Sequence, residues 1–233
     1  MPAFTDPHAF PTFQELPSST ATTTTTTSLP STPPAPDNTW FLLAQIRENM
    51  TITKPTLVVR DRAGLDFAVT FDDGDHRGLP LSSPSSSSSS SPPRFRRGHT
   101  LVVPRATRTD REGEGEGRGN NNKKKAVVRV PAGQSGGVRV IPGGLEQVVE
   151  MGRVVDGMQQ GADAKKCAAC GEAEGEGEGE GQGEGQGKGK VLMRCTGCGV
   201  AAYCSKACQA RGWSEMGHKS NCKVVKSIKE IWP

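Results

Sequence analysis

Tyr203-Cys204-Ser205-Lys206-Ala207-Cys208-Gln209-Ala210-Arg211-Gly212-Trp213, followed by Gly217-His218-Lys219-Ser220-Asn221-Cys222, is the stretch on which the fold of this chain turns. It holds two ligand pairs, Cys204-x3-Cys208 and His218-x3-Cys222. Residues four apart share one helix face, so each pair offers two metal donors to one side. Ser205 to Arg211 is expected as a short helix ended by Gly212, and Lys219 to Glu230 as a second. Upstream lie Cys167-Ala168-Ala169-Cys170-Gly171 and Cys195-Thr196-Gly197-Cys198-Gly199. In each, the glycine after the second thiol can take the positive φ of a tight turn that brings both sulfurs together. All seven cysteines of the chain lie between Cys167 and Cys222, and His218 makes an eighth donor. Eight donors in pairs two or three residues apart complete two tetrahedral zinc sites with no thiol left over.

The other uses of cysteine fit poorly. A disulfide framework needs a secreted chain, and seven is odd; the N-terminus, interrupted by Pro2, Asp6, Pro7 and Pro11, has no secretion signal. A catalytic zinc keeps one coordination position for water, whereas eight protein donors on two metals leave none. Two structural Zn2+ ions are therefore expected. The ordinary sequence between Cys167 and Cys222 is too short for a self-sufficient hydrophobic core, and metal supplies what the core lacks.

Taken with the non-ligand positions Tyr203, Ser205, Gln209, Trp213 and Lys219, the ligand pattern resembles a MYND-type zinc finger, over residues 167–222 only. The resemblance implies interleaved pairs: Cys167, Cys170, Cys204 and Cys208 on one zinc, and Cys195, Cys198, His218 and Cys222 on the other. It also implies a protein partner, a short proline-containing peptide held in a groove lined by Gln209 and Trp213 with Ser205 nearby. For Trp213 a packing role over the zinc sites is an equal alternative. The departure from the family is the long Glu-Gly insert 172–190 between the first two pairs. Loop-closure entropy grows only as the logarithm of length, so such an insert is tolerable, and its near-lack of apolar residues predicts disorder.

The remaining sequence points to a small mainly-β domain, residues 39–151, read as an antiparallel barrel or sandwich. Its expected strands are Thr56–Asp61, Asp66–Phe71, Thr100–Pro104, Ala126–Val130 and Gly137–Ile141, with Leu145–Glu150 as a sixth; Arg62-Ala63-Gly64 is the turn of a hairpin joining the first two. Trp40 to Ile46 fits a helix or an edge strand. Low-complexity inserts are placed at 82–93 and 111–125. Residues 1–38, with no Lys or Arg and the run Thr22–Thr27, are expected as a disordered tail, 152–166 as a linker, and 223–233 as a C-terminal helix or tail.

Charge supplies an alternative function. From Arg94 to Val130 there are eleven Lys/Arg against four Asp/Glu, which suits a nucleic-acid-associated regulator. No RNA-binding aromatic motif or helix-turn-helix pattern accompanies it. An enzyme is not expected. Some proteins with this finger carry a methyltransferase domain of the SET type, yet its asparagine, histidine and tyrosine motifs are not seen, and the sole tyrosine, Tyr203, belongs to the finger. A part in an enzyme complex without catalysis of its own is a second alternative. No apolar stretch approaches the 18 residues or so needed to span a membrane. Thiolates need a reducing compartment, so the expected location is intracellular, nucleus or cytoplasm, and not secreted.

Overall fold

The computed structural model describes residues 2–19, 40–75, 95–109, 127–160, 165–174 and 191–233. The chain forms two compact units, one of Phe4–Glu146 and one built on Gln147–Pro233. The inserts 82–93 and 111–125, residues 20–38 of the expected tail and most of the Glu-Gly insert lie outside the described residues.

The first unit is a sheet of seven strands among the described residues. They are β1 (Phe41–Asn49), β2 (Thr56–Arg60), β3 (Asp66–Phe71), β4 (Thr100–Pro104), β5 (Arg108–Thr109), β6 (Val127–Val130) and β7 (Arg139–Ile141), in the order β5-β6-β3-β2-β1-β4-β7. β2 and β3 make the expected hairpin: Gly64 turns at φ 82°, and the Asp61 carboxylate accepts from the Leu65 N–H at 2.9 Å. Alternation along β3 sends Phe67, Val69 and Phe71 inward, where they meet Leu57 and Val59 of β2, Leu42 and Ile46 of β1, and Leu101 and Val103 of β4 in one core.

The expected antiparallel barrel or sandwich is corrected in two respects. The sheet is open, because its end strands are two and three residues long, too short to bridge to each other. It is also mixed, since β6 lies parallel to β3, Ala68 opposite Val127 through Phe71 opposite Val130. Trp40–Ile46 is neither helix nor edge: β1 is a central strand, between β2 and β4. Its consecutive buried Leu42, Leu43 and Ala44 carry no clean period because both faces of the strand are covered.

Residues 4–16 are not a tail. Phe4, Phe10, Phe13 and Leu16 are buried, Phe4 stacks on Phe10 at 4.6 Å, and Phe13 on Phe67 at 4.2 Å. The buried Asp61 accepts the Phe13 N–H at 2.9 Å, and Glu15 folds back to accept both the Thr12 N–H (2.7 Å) and its hydroxyl (2.8 Å). Each buried apolar side chain contributes about 1.5–3 kcal/mol, enough to offset the ordering of a short segment.

In the second unit α1 (Leu145–Gln160) replaces both the strand expected at Leu145–Glu150 and the first part of the linker expected at 152–166. Val148 and Val155, seven apart and so on one helix face, are fully buried. Gln147 donates to Asn221 Oδ1 at 2.7 Å. The unit continues with the two-stranded β8 (Met193–Arg194) and β9 (Ala202–Tyr203), then α2 (Lys206–Ser214) and α3 (His218–Ile231). α3 buries Cys222, Val224, Val225 and Ile228 along one face, so residues 223–231 are helix. Among the described residues no helix is long and apolar enough to cross a membrane.

Candidate metal centre

Two backbone turns carry the first two thiol pairs. Around Cys167 the chain forms a hairpin, with the Cys167 N–H on the Glu172 carbonyl (2.8 Å) and the Glu174 N–H on the Lys165 carbonyl (2.7 Å). Gly171, at φ 77°, closes the turn on the Cys167 carbonyl. Glu172, Ala173 and Glu174 thus belong to this turn, and the insert expected from 172 begins after them. The chain returns beside its point of exit, where Leu192 N–H meets Glu174 Oε1 at 3.4 Å. The second turn is built alike between β8 and β9, with Gly199 at φ 69° bonded to the Cys195 carbonyl. The expected glycine turns are both present, and an insertion between them has disturbed neither.

Gly197 and Gly212 matter in ways that ligand spacing did not reveal. A Cβ at Gly197 would stand 2.8 Å from the Cys222 sulfur, so only glycine lets α3 bring that ligand in. Gly212 does not end α2, which runs on to Ser214; a Cβ there would lie 2.5 Å from the Tyr203 ring. The tyrosine, buried, packs flush on the bare helix backbone. The only hint in sequence is a glycine inside a helical run. Ser205 caps α2, its hydroxyl accepting the Cys208 N–H at 3.1 Å, and the Arg211 guanidinium bonds the Ala169 carbonyl, fixing α2 to the first turn.

These elements bring the eight donors into two groups, Cys167, Cys170, Cys204 and Cys208, and Cys195, Cys198, His218 and Cys222, each with all donor atoms within 4.8 Å of one another. This is the interleaved pairing. In the first group Cys204 Sγ is 3.5 Å from both Cys170 and Cys208. In the second, Cys195 Sγ is 3.9 Å from Cys222 Sγ and 3.3 Å from His218 Nε2, and Cys198 Sγ is 3.7 Å from the same nitrogen. A tetrahedral zinc with Zn–S bonds of about 2.3 Å has S···S edges of about 3.8 Å and slightly shorter N···S edges. The spacing therefore fits one zinc per group. The groups differ in cover: Cys170 is exposed and Cys204 and Cys208 half-buried, whereas all three thiols of the second group are buried.

The sulfur electrostatics point the same way. Burial opposes ionisation of Cys167, yet the N–H groups of Cys170, Cys204 and Ala169 turned on its sulfur hold the thiol down at about 6. Crowding by the Cys170 and Cys208 sulfurs pushes Cys204 up to about 12, and burial followed by the Cys195 sulfur does the same to Cys222. Four sulfurs this close resist joint ionisation unless a cation sits among them. Zinc relieves that repulsion and draws off the protons. Zinc here would contribute folding energy and hold the four ligand segments together.

Beside the second group lies a cavity of about 320 Å³ lined by Gln209 and Trp213 together with Thr196, Gly197 and Tyr203. The Trp213 ring leans on the ligand His218, centroids 5.7 Å apart, while 41% of the residue stays exposed. Ser205, the third expected contact, is not among the lining residues, and its hydroxyl is engaged in the cap.

Comparison with known proteins gives matches to a short part of the chain. Histone-lysine N-methyltransferase SMYD3 of Homo sapiens is 51% identical over 42 residues, which is 18% of this chain and 9% of that protein. Its Mus musculus counterpart is 45% identical over 42 residues, with the same coverage. The chain thus matches about a tenth of the length of these relatives. Residues 167–222, which hold both ligand groups, match the model of the MYND finger family, whose members are zinc-binding modules of protein–protein interaction.

Proposed function

We propose that this chain is an adaptor whose finger captures a short proline-containing peptide on the face bearing Gln209 and Trp213. The observation that carries this is the exposed Trp213 at the wall of a cavity it shares with Gln209. A flat aromatic surface suits the rigid, extended polyproline conformation, which loses little entropy on docking. The Gln209 amide, exposed on α2, offers both a donor and an acceptor to a peptide backbone. The zincs position this face and have no catalytic part, since protein donors fill four positions on each. The methyltransferase activity in the relatives' names is not carried over, because the shared stretch is 9% of their length. We assign the chain no catalysis of its own and place it in a reducing compartment, nucleus or cytoplasm, where eight donors stay available to metal.

The test is titration of the zinc-loaded chain with proline-rich peptides by calorimetry. Trp213→Ala should weaken binding at least about tenfold while two zincs per chain remain. Gln209→Ala should weaken it less. If Trp213→Ala sheds zinc, the tryptophan is a packing residue and the groove assignment fails.

A further inference from the structure

We propose that the β-sheet unit holds a second binding site, for a small oxyanion carrying an apolar body, in the cavity where its sheet fails to close. This cavity, about 640 Å³, is lined from both ends of the sheet: Arg129 and Val130 of β6 at one end, and Val138, next to β7, at the other. The mouth of an incomplete barrel is a common place for small-ligand sites, and this volume lies in their usual range.

Two features make it a built site. The first is Arg105, whose backbone sits at φ 48°, the one non-glycine residue with positive φ among those described. A side chain there costs on the order of 1–2 kcal/mol, which glycine would avoid. Trp40 holds the turn from both sides: its carbonyl accepts the Arg105 N–H at 2.8 Å, and its indole N–H donates to the Ala106 carbonyl at 2.9 Å. The strained position sets Arg105, exposed and with no ionic partner among the described residues, at the cavity wall.

The second feature is charge. Arg105 and Arg129 both line the cavity, and among the described residues no acidic one does. Arg129 forms an ion pair with Asp72, Nε to Oδ1 at 3.4 Å, and the same carboxylate also meets Lys54 at 3.1 Å. Trp40, Val103, Val130 and Val138 line the same cavity. Guanidinium groups recognise carboxylate or phosphate, and the apolar lining selects what is attached to it.

Phenyl phosphate serves as the probe, titrated into the zinc-loaded full chain while the Trp40 indole N–H resonance is followed by NMR. A saturable shift is expected, with inorganic phosphate and phenol each binding at least about tenfold more weakly. Arg105→Gly should lower affinity at least about tenfold, with a melting temperature unchanged or raised as the strain is released. Arg129→Gln should lower it similarly, and Arg96→Gln, outside the lining, should not. No saturable shift overturns the site, as does affinity untouched by either lining variant. Equal binding of inorganic phosphate removes the apolar half of the claim and overturns the class. An oligothymidylate that binds more tightly through the same arginines, with steep salt dependence, gives the face to single-stranded nucleic acid instead.

Discussion

The two halves of this chain solve the same problem by different means. The β unit hangs together on a shared hydrophobic core, in which Leu42, Val59, Val69, Phe71, Leu101 and Val128 are fully buried. The finger, with α2 nine residues long and β8 and β9 two each, is built of short segments that converge on eight donors. Nonpolar burial is spread over many contacts and degrades gradually; coordination is concentrated in two ions and fails all at once. That difference sets what each half tolerates. The finger accepts a long insertion between its first two ligand pairs because each metal needs only its four donors delivered. The β unit must recruit the segment Phe4–Leu16 to finish its core.

The sharpest way to separate the halves is to remove the metal. Strong chelator should unfold the finger, since structural zinc contributes on the order of 10 kcal/mol or more, while the β unit melts as before. Amide exchange resolved by residue checks this, and unchanged protection at Val224 and Ile228 would break the contrast. The converse comes next: Phe71→Ala in the β core should cost about 3–5 kcal/mol in the melting of that unit and leave two zincs bound by native mass spectrometry.

How much of this could be read in advance follows the same divide. Ligand pairs, and the glycines that close their turns, are local devices, and the sequence displays them within five residues. β2, β3 and β4 are legible too, because each is a short run whose pattern or composition suits a strand. What was hidden depends on distant partners. The parallel pairing of β3 with β6 leaves no local mark. Phe10 and Phe13 match no period because their partners lie far along the chain, Phe41 beside Phe10 and Phe67 under Phe13. In α1 the pairs Val148-Val149 and Val154-Val155 imitate a strand, and only the seven-residue recurrence of the buried valines reveals the helix. Gly212 looks like a helix stop until the Tyr203 ring is seen lying against it.

Smaller perturbations refine the contrast. Gly212→Ala should cost about 1–3 kcal/mol by forcing α2 off the Tyr203 ring, and this should appear as weaker zinc retention in competition with a chelator while the β unit is unaffected. In the β unit, Glu15→Gln tests the N-terminal segment. Hydrogen bonds from the Thr12 N–H and hydroxyl hold Glu15 below its usual carboxylate range. A lowered value stabilises the fold above the unfolded carboxylate's pKa, and that contribution disappears as pH falls through the folded one. The variant should therefore melt slightly lower than the parent at neutral pH, with the gap closing in acid. A gap that persists in acid would show that the charge of Glu15 is not what anchors the segment.

Two metals cross-connect the finger in interleaved fashion, and cadmium substitution followed by proton–cadmium correlation NMR reads that pairing ligand by ligand. Two cadmium resonances are expected, one coupled to the β-protons of Cys167, Cys170, Cys204 and Cys208, and the other to those of Cys195, Cys198 and Cys222 with the ring of His218. A resonance joining Cys167 or Cys170 to Cys195 or Cys198 would contradict it.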